Sequence, residues 1–250
     1  MTNYVSHSNE IPLLKLSGKI SSYDRKRLSA SFVFTESDQT KIGVLAVASA
    51  TAGLAGHAAI MSNYSSAMEE EADYVQFELD GKRIKGWLWR SPFKEGDEVV
   101  VAVEKKLEHY ELYGMMRPMD KVIALYPHCS RGRIRHIKTI VKWWFILVPA
   151  FFLLFLLLPI TGGYLKFWEF WGEIFKGDPS GWFIILGLIA FFVAMFASLG
   201  RKWMPFVRLA EKVFRILELP SPSNIDLKKS TKLHKTENDP PECGVMYFKY

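Results

Sequence analysis

The densest grouping of reactive side chains is His128-Cys129-Ser130, within Tyr126–Arg133 (YPHCSRGR). A thiol beside an imidazole suggests a base-activated nucleophile or half of a metal site. Adjacent residues of an extended segment point opposite ways, so His128 is not placed to take a proton from Cys129. No second Cys/His pair follows at zinc spacing. The simpler expectation is a linker between two parts of the chain. Trp87 and Trp89, beside Lys82, Arg83, Lys85 and Arg90, have the composition of a base-stacking platform. Residues 1–130, however, hold 15 Lys+Arg against 17 Asp+Glu, a balance that suits a polyanion poorly. Glu69-Glu70-Glu71 reads as a solvated helix end rather than a cation site, and His57 as a polar-edge or turn residue. The sequence contains no GxSxG, HExxH, CxxC or phosphate-loop pattern. No catalytic residue, metal ligand or cofactor is expected, and the chain does not read as an enzyme.

The elements that carry these residues follow from where the apolar side chains fall. The chain has 250 residues, 49% of them hydrophobic and 14% aromatic, with two cysteines. That excludes a disordered chain and a disulfide scaffold. The mean hydropathy of +0.05 averages two unlike populations. Residues 143–165 run 23 positions without a formal charge, and residues 181–200 run 20. At about 1.5 Å per residue, roughly 20 residues cross a 30 Å hydrocarbon core. Two transmembrane helices are expected, joined by a far-side loop at 166–180. Pro149 and Pro159 in the first are better tolerated in lipid than in water. Six of the eight tryptophans, Trp143, Trp144, Trp168, Trp171, Trp182 and Trp203, fall at or near the span ends, as an aromatic belt requires.

Charge sets the orientation. Of the net +6, residues 1–130 carry −2, 131–142 carry +5, the segment between the spans −1, and 201–250 carry +4. Arg131, Arg133, Arg135, Lys138 and Lys142 precede the first span; Arg201, Lys202, Arg208, Lys212 and Arg215 follow the second. These ten residues are expected to orient the hairpin and to face lipid headgroups, with both termini cytoplasmic. No cleavable signal sequence is apparent in the first 40 residues.

Residues 1–130 read as a small cytoplasmic β-rich domain. Leu13–Ile20, Ser29–Thr35, Val75–Leu79, Arg83–Arg90, Glu98–Glu104, Tyr110–Met116 and Val122–Tyr126 are short runs with strand periodicity, and Asp80-Gly81 is a hairpin turn. Their spacing suggests a small barrel or sandwich of OB-like or SH3-like type. Ile42–Met61 interrupts this domain with an Ala/Gly-rich helical insert. Small residues at Ala48, Ala52 and Gly56 give it one smooth face. A helix packed on the domain is favoured over membrane insertion, because a third crossing would put Arg131–Lys142 on the far side. After the spans, 201–219 forms an amphipathic juxtamembrane helix, lying on the membrane or packed on the barrel. Residues 220–250 form a polar, loosely ordered tail ending in an aromatic strand, Val245–Tyr250. The whole is an α+β membrane protein: a β-barrel or sandwich domain, a two-helix hairpin and an amphipathic helix.

Five segments add a likeness. Ser91–Val99 (SPFKEGDEV), Ile123–Arg133 (IALYPHCSRGR), Arg201–Arg215 (RKWMPFVRLAEKVFR), Ser223–Lys229 (SNIDLKK) and the aromatic carboxyl terminus resemble the family of bacterial membrane proteins labelled type VI secretion system effectors. The likeness covers nearly the whole chain and carries over no catalytic residue. It implies a Gram-negative setting, an inner-membrane location and a link to interbacterial competition. A membrane-acting effector that perturbs the bilayer is the first expectation. A resident immunity protein and a membrane-anchored adaptor or sensor are the alternatives. The implied partners are the lipid bilayer, type VI components, and a chaperone or cognate toxin or immunity protein. Nucleic acid is not among them, and the small-residue face leaves oligomer packing open.

Overall fold

The computed structural model describes residues 12–30, 32, 70–157, 169, 171–172 and 180–250. The insert Ile42–Met61 with His57, Glu69, Trp168 and most of the far-side loop lie outside the described residues. The chain divides into two compact units, Met1–Gly132 with Pro205–Tyr250, and Arg133–Met204.

The first unit is built on a closed five-stranded barrel. Its longest strand is β1 (Leu13–Ala30). Leu13–Lys19 pair antiparallel with β4 (Glu98–Lys105), and Ile20–Ala30 pair antiparallel with β2 (Glu70–Leu79). A bulge between Ser21 and Asp24, with Ser22 at φ 52°, bends the strand so that it serves both neighbours. Leu13–Ile20 and the start of the run Ser29–Thr35 belong to one bent strand, which Ser29 and Ala30 end; residues 31 and 33–35 lie outside the described residues. Glu70 and Glu71 open β2 rather than closing a helix. Asp80-Gly81, both at positive φ, turn the chain into β3 (Lys82–Leu88), with Leu79 opposite Lys82.

Closure comes from β3 running parallel to β5 (Tyr110–Arg117), Ile84 opposite Tyr110 and Gly86 opposite Leu112. Gly86 is required there, since a Cβ would lie 2.6 Å from the Leu112 carbonyl oxygen. The order around the ring, β1-β2-β3-β5-β4, closes the sheet as a barrel rather than a sandwich. Alternating positions fill it: Val75, Phe77 and Leu79 of β2, Ile84 and Leu88 of β3, Val99, Val101 and Val103 of β4, and Leu112 and Met115 of β5. Burying each such side chain contributes about 1.5–3 kcal/mol.

Beyond the ring, Gly114–Arg117 of β5 pair with β6 (Val122–Leu125), and β6 pairs with β7 (Tyr247–Lys249). The tail is thus ordered, not loose. The amphipathic segment is the end of one long helix, α2 (Ser180–Ile216), rather than a separate helix. Its Phe206, Leu209, Ala210, Val213 and Phe214, with Leu217 after it, recur at helical spacing and are buried. This stripe meets the strands where Gly114 leaves room: a Cβ there would lie 2.6 Å from Val213 Cγ1 and 2.9 Å from Leu125 Cδ2. After Pro220 and Pro222, Asp226 accepts from the Lys229 N–H to cap α3 (Leu227–His234). Buried Thr231 Oγ1 donates to the Leu227 carbonyl and receives the Lys249 N–H at 2.8 Å. Lys235 Nζ donates to the Cys243 carbonyl, and Lys249 pairs with Asp239 at 2.7 Å. Polar residues that read as a tail are the fastenings of β7.

The second unit holds α1 (Arg133–Leu157) and α2 up to Met204. The basic stretch 131–142 is not a linker: from Arg133 it is the first turns of α1. Both helices are long and apolar enough to cross a membrane. Phe151 meets Phe192 at 4.9 Å, Phe155 meets Trp171 at 5.6 Å, and Ile140 packs beside Gly200. The outward side chains stay uncovered: Phe145, Leu154 and Phe183 are each more than 60% exposed. In water that surface is costly, and in a bilayer it is ordinary.

Candidate functional site

The His128 region is built from the turn that leaves β6. Cys129 and Ser130 close that turn on Tyr126 and His128 through N–H···O=C bonds of 3.1 Å each. His128 takes a left-handed backbone, φ 66°. Its ring lies between Trp89, 5.0 Å away, and Phe206, 5.4 Å away. Nε2 faces the Glu70 carboxylate at 2.7 Å. Burial lowers the imidazole's pKa and Glu70 opposes that shift, so the neutral form is favoured. Cys129 is buried, its Sγ donates to the Phe206 carbonyl at 3.4 Å, and burial pushes the thiol well above its ordinary range. A thiol held so is protonated at neutral pH and a poor nucleophile. Arg131 has its Nε 3.4 Å from Asp226 Oδ1, and the two residues form a β-bridge.

Trp87 and Trp89 do not form one platform. Trp87 packs edge-on against Tyr74 and Phe32, at 5.1 and 5.3 Å, while Trp89 takes His128 and carries Lys228 Nζ 5.9 Å from its ring centre.

A cleft that the sequence did not disclose opens elsewhere on this unit, with a volume of about 980 Å³. The β1 bend gives it Tyr23 and Arg25, the β3–β4 connection Ser91 and Phe93, and the tail Asp239 and Tyr247. Asp73, 1% exposed, organises its wall. It accepts from Arg27 Nη1 at 2.9 Å and from the Ser91 N–H at 2.8 Å. Ser91 Oγ meets the Tyr23 hydroxyl at 2.5 Å, and the Ser91 carbonyl accepts from Arg25 Nη1 at 2.8 Å. Arg117 is held by Asp97 and Asp120 and lies over the Phe93 ring. With cations and carboxylates interleaved, the cleft suits a polar partner of mixed charge rather than a polyanion. No sequence motif announces it, because its walls come from segments more than 200 residues apart.

The residues expected at the membrane divide between the units. Arg133, Arg135, Lys138 and Lys142 lie on α1, Arg201 and Lys202 on α2, all in the apolar unit. Arg208, Lys212 and Arg215 belong to the barrel unit, where Arg215 pairs with buried Glu211 at 3.1 Å. Trp143 and Trp182 are exposed, Trp144 and Trp203 half-buried, and Trp171 is buried against Phe155. Trp182 and Trp203 are 21 residues apart on α2, about 30 Å along a helix. Among the described residues no His/Cys/Asp/Glu group is arranged to hold a metal ion. No protein-family model, curated protein or solved structure matches the chain.

Proposed function

We propose that this is an integral protein of the bacterial inner membrane, working in type VI-linked interbacterial competition, with its hairpin in the bilayer and its barrel on the cytoplasmic side. One observation carries the placement. Segments before and after the hairpin interlock in a single unit, β7 on β6 and Asp226 on Arg131. Both flanks therefore occupy one compartment, and the apolar helices between them make one passage out and back. The basic flanks make that compartment the cytoplasm. A reporter fused after Tyr250 is expected to be active only in the cytoplasm, and periplasmic activity overturns the orientation.

For the role, the interlocked flanks favour residence: a folded domain pinned to one face suits an immunity protein or adaptor, its cleft offered to a partner. The bilayer-perturbing effector draws instead on the family likeness and on the uncovered apolar helices. Expression in a sensitive bacterium with recorded membrane potential separates them. Depolarisation by the membrane-targeted protein supports the effector. Unchanged potential, with loss of protection against kin on deleting the gene, supports immunity.

A further inference from the structure

We infer that one end of the helix pair is a binding collar for anionic phospholipid headgroups, an inference that rests on the membrane placement above. Within the apolar unit, Arg133, Arg135, Lys138 and Lys142 lie on α1 and Arg201 and Lys202 on α2, with no acid in 133–142 or 201–204. The contact of Ile140 with Gly200 brings these two basic segments to the same end of the pair. The acids of this unit, Glu169, Glu173 and Asp178, all fall between the spans.

Depth selects among the cations. The headgroup layer is about 5–8 Å thick on each side of the hydrocarbon. The charge-free run of α1 begins at Trp143, and that of α2 ends at Gly200. Lys138 and Lys142 lie one helical turn apart, about 6 Å along the axis, and so share the headgroup layer with Arg201 and Lys202. All four are exposed. Among the described residues Lys138, Lys142 and Arg201 make no ion pair, so their charge is available to a lipid phosphodiester. Trp143, Trp144 and Trp203 mark the same level. Lys138, Lys142 and Arg201, with Lys202 beside them and no acid in 133–142 or 201–204, complement an anionic headgroup and have no such fit to a zwitterionic one.

The test uses the full chain in bilayers doped with brominated lipids, which quench nearby tryptophan. Brominated phosphatidylglycerol is expected to quench the interfacial tryptophans at several-fold lower mole fraction than brominated phosphatidylcholine. The variant K138Q/K142Q/R201Q/K202Q is expected to lose that several-fold preference. The control K82Q/R83Q, on the barrel, is expected to keep it. Equal quenching of the native chain by both lipids, or preference surviving in the quadruple variant, overturns the collar and leaves the membrane placement standing. Absence of quenching by either lipid overturns both. Preference abolished by inorganic phosphate, but not by chloride at equal ionic strength, assigns a soluble phosphate site and overturns the lipid assignment.

Discussion

The seat of α2 on the barrel can be tested at two facing positions, Gly114 and Val213. Adding a methyl at Gly114 puts it 2.6 Å from Val213 Cγ1 and 2.9 Å from Leu125 Cδ2. Ordinary contacts begin near 3.4 Å, so neighbours must yield by more than half an ångström. Overpacking of that size costs about 1–3 kcal/mol. Removing the conformational entropy of glycine returns about 0.5–1 kcal/mol, leaving Gly114→Ala destabilised by about 1–2 kcal/mol. Val213 is fully buried. Val213→Ala loses two methyl groups' worth of burial at about 0.8 kcal/mol each, and the remaining cavity brings the loss to about 2–3 kcal/mol. In the double variant the new methyl enters the space vacated by the old ones, so the losses are not expected to add. A favourable coupling of about 1–2 kcal/mol is expected. For a unit of this size 1 kcal/mol moves Tm by about 2–4 °C, so the double variant should melt about 2–8 °C above the additive expectation. Thermal unfolding of the detergent-solubilised chain, followed by protease resistance of the barrel, reads the effect. Strict additivity would refute the packing and leave the amphipathic stripe to the membrane surface.

Three further outcomes are expected. Asp73→Ala strips Arg27 and the Ser91 N–H of their buried acceptor. Discounted for the partial exposure of Arg27 and its second partner Glu71, the loss is about 3 kcal/mol, read by urea unfolding of the barrel. Asp239 is held at about 2 by Lys249 and the Thr236 N–H, against an ordinary 3.8. Its contribution is present above pH 3.8 and lost as pH falls towards 2, and Lys249→Met should reduce that acid dependence, moving the Asp239 midpoint up in a carboxyl NMR titration while the Thr236 bonds keep it below 3.8. Because burial lowers the pKa of His128, its stabilisation is full above its ordinary 6.5 and falls as pH drops below that value. An imidazole NMR titration should show a midpoint below 6.5, and a midpoint above it would mean that Glu70 wins over burial.

Much of the barrel is legible in the sequence because its strands are half-buried and short. Val75, Phe77 and Leu79 alternate with solvent-facing neighbours, and Asp80-Gly81 supplies the left-handed turn. The bent β1 was less legible: Ser22 and Asp24 look like loop residues, and only pairing with two different partners makes one strand of the stretch. The tail misleads for the same kind of reason. Thr231, Lys235, Asp239 and Lys249 look solvated, and their backbone and ion-pair partners exist only once β7 is in place. The basic stretch 131–142 gives no strong helix signal of its own; it is the start of a helix whose apolar body follows. The cleft depends on Asp73 joining Arg27 to Ser91, a three-way contact that no local pattern encodes.

The barrel unit takes its last strand from the end of the chain, and this fixes an order of assembly. β6 ends at Leu125 and its partner β7 starts at Tyr247. At about 5–20 residues per second, some 120 residues of synthesis leave the outer edge of β6, the one away from β5, unpaired for roughly 6–24 s. Through that interval an open strand edge, and the apolar bed that Val213 and Phe214 later cover, stand exposed to any neighbouring chain. The hairpin lies within the intervening stretch, so it is translated before the barrel unit can be completed. A ribosome stalled between Gly200 and Tyr247 would therefore leave a half-covered domain, a natural substrate for a chaperone or a quality-control protease.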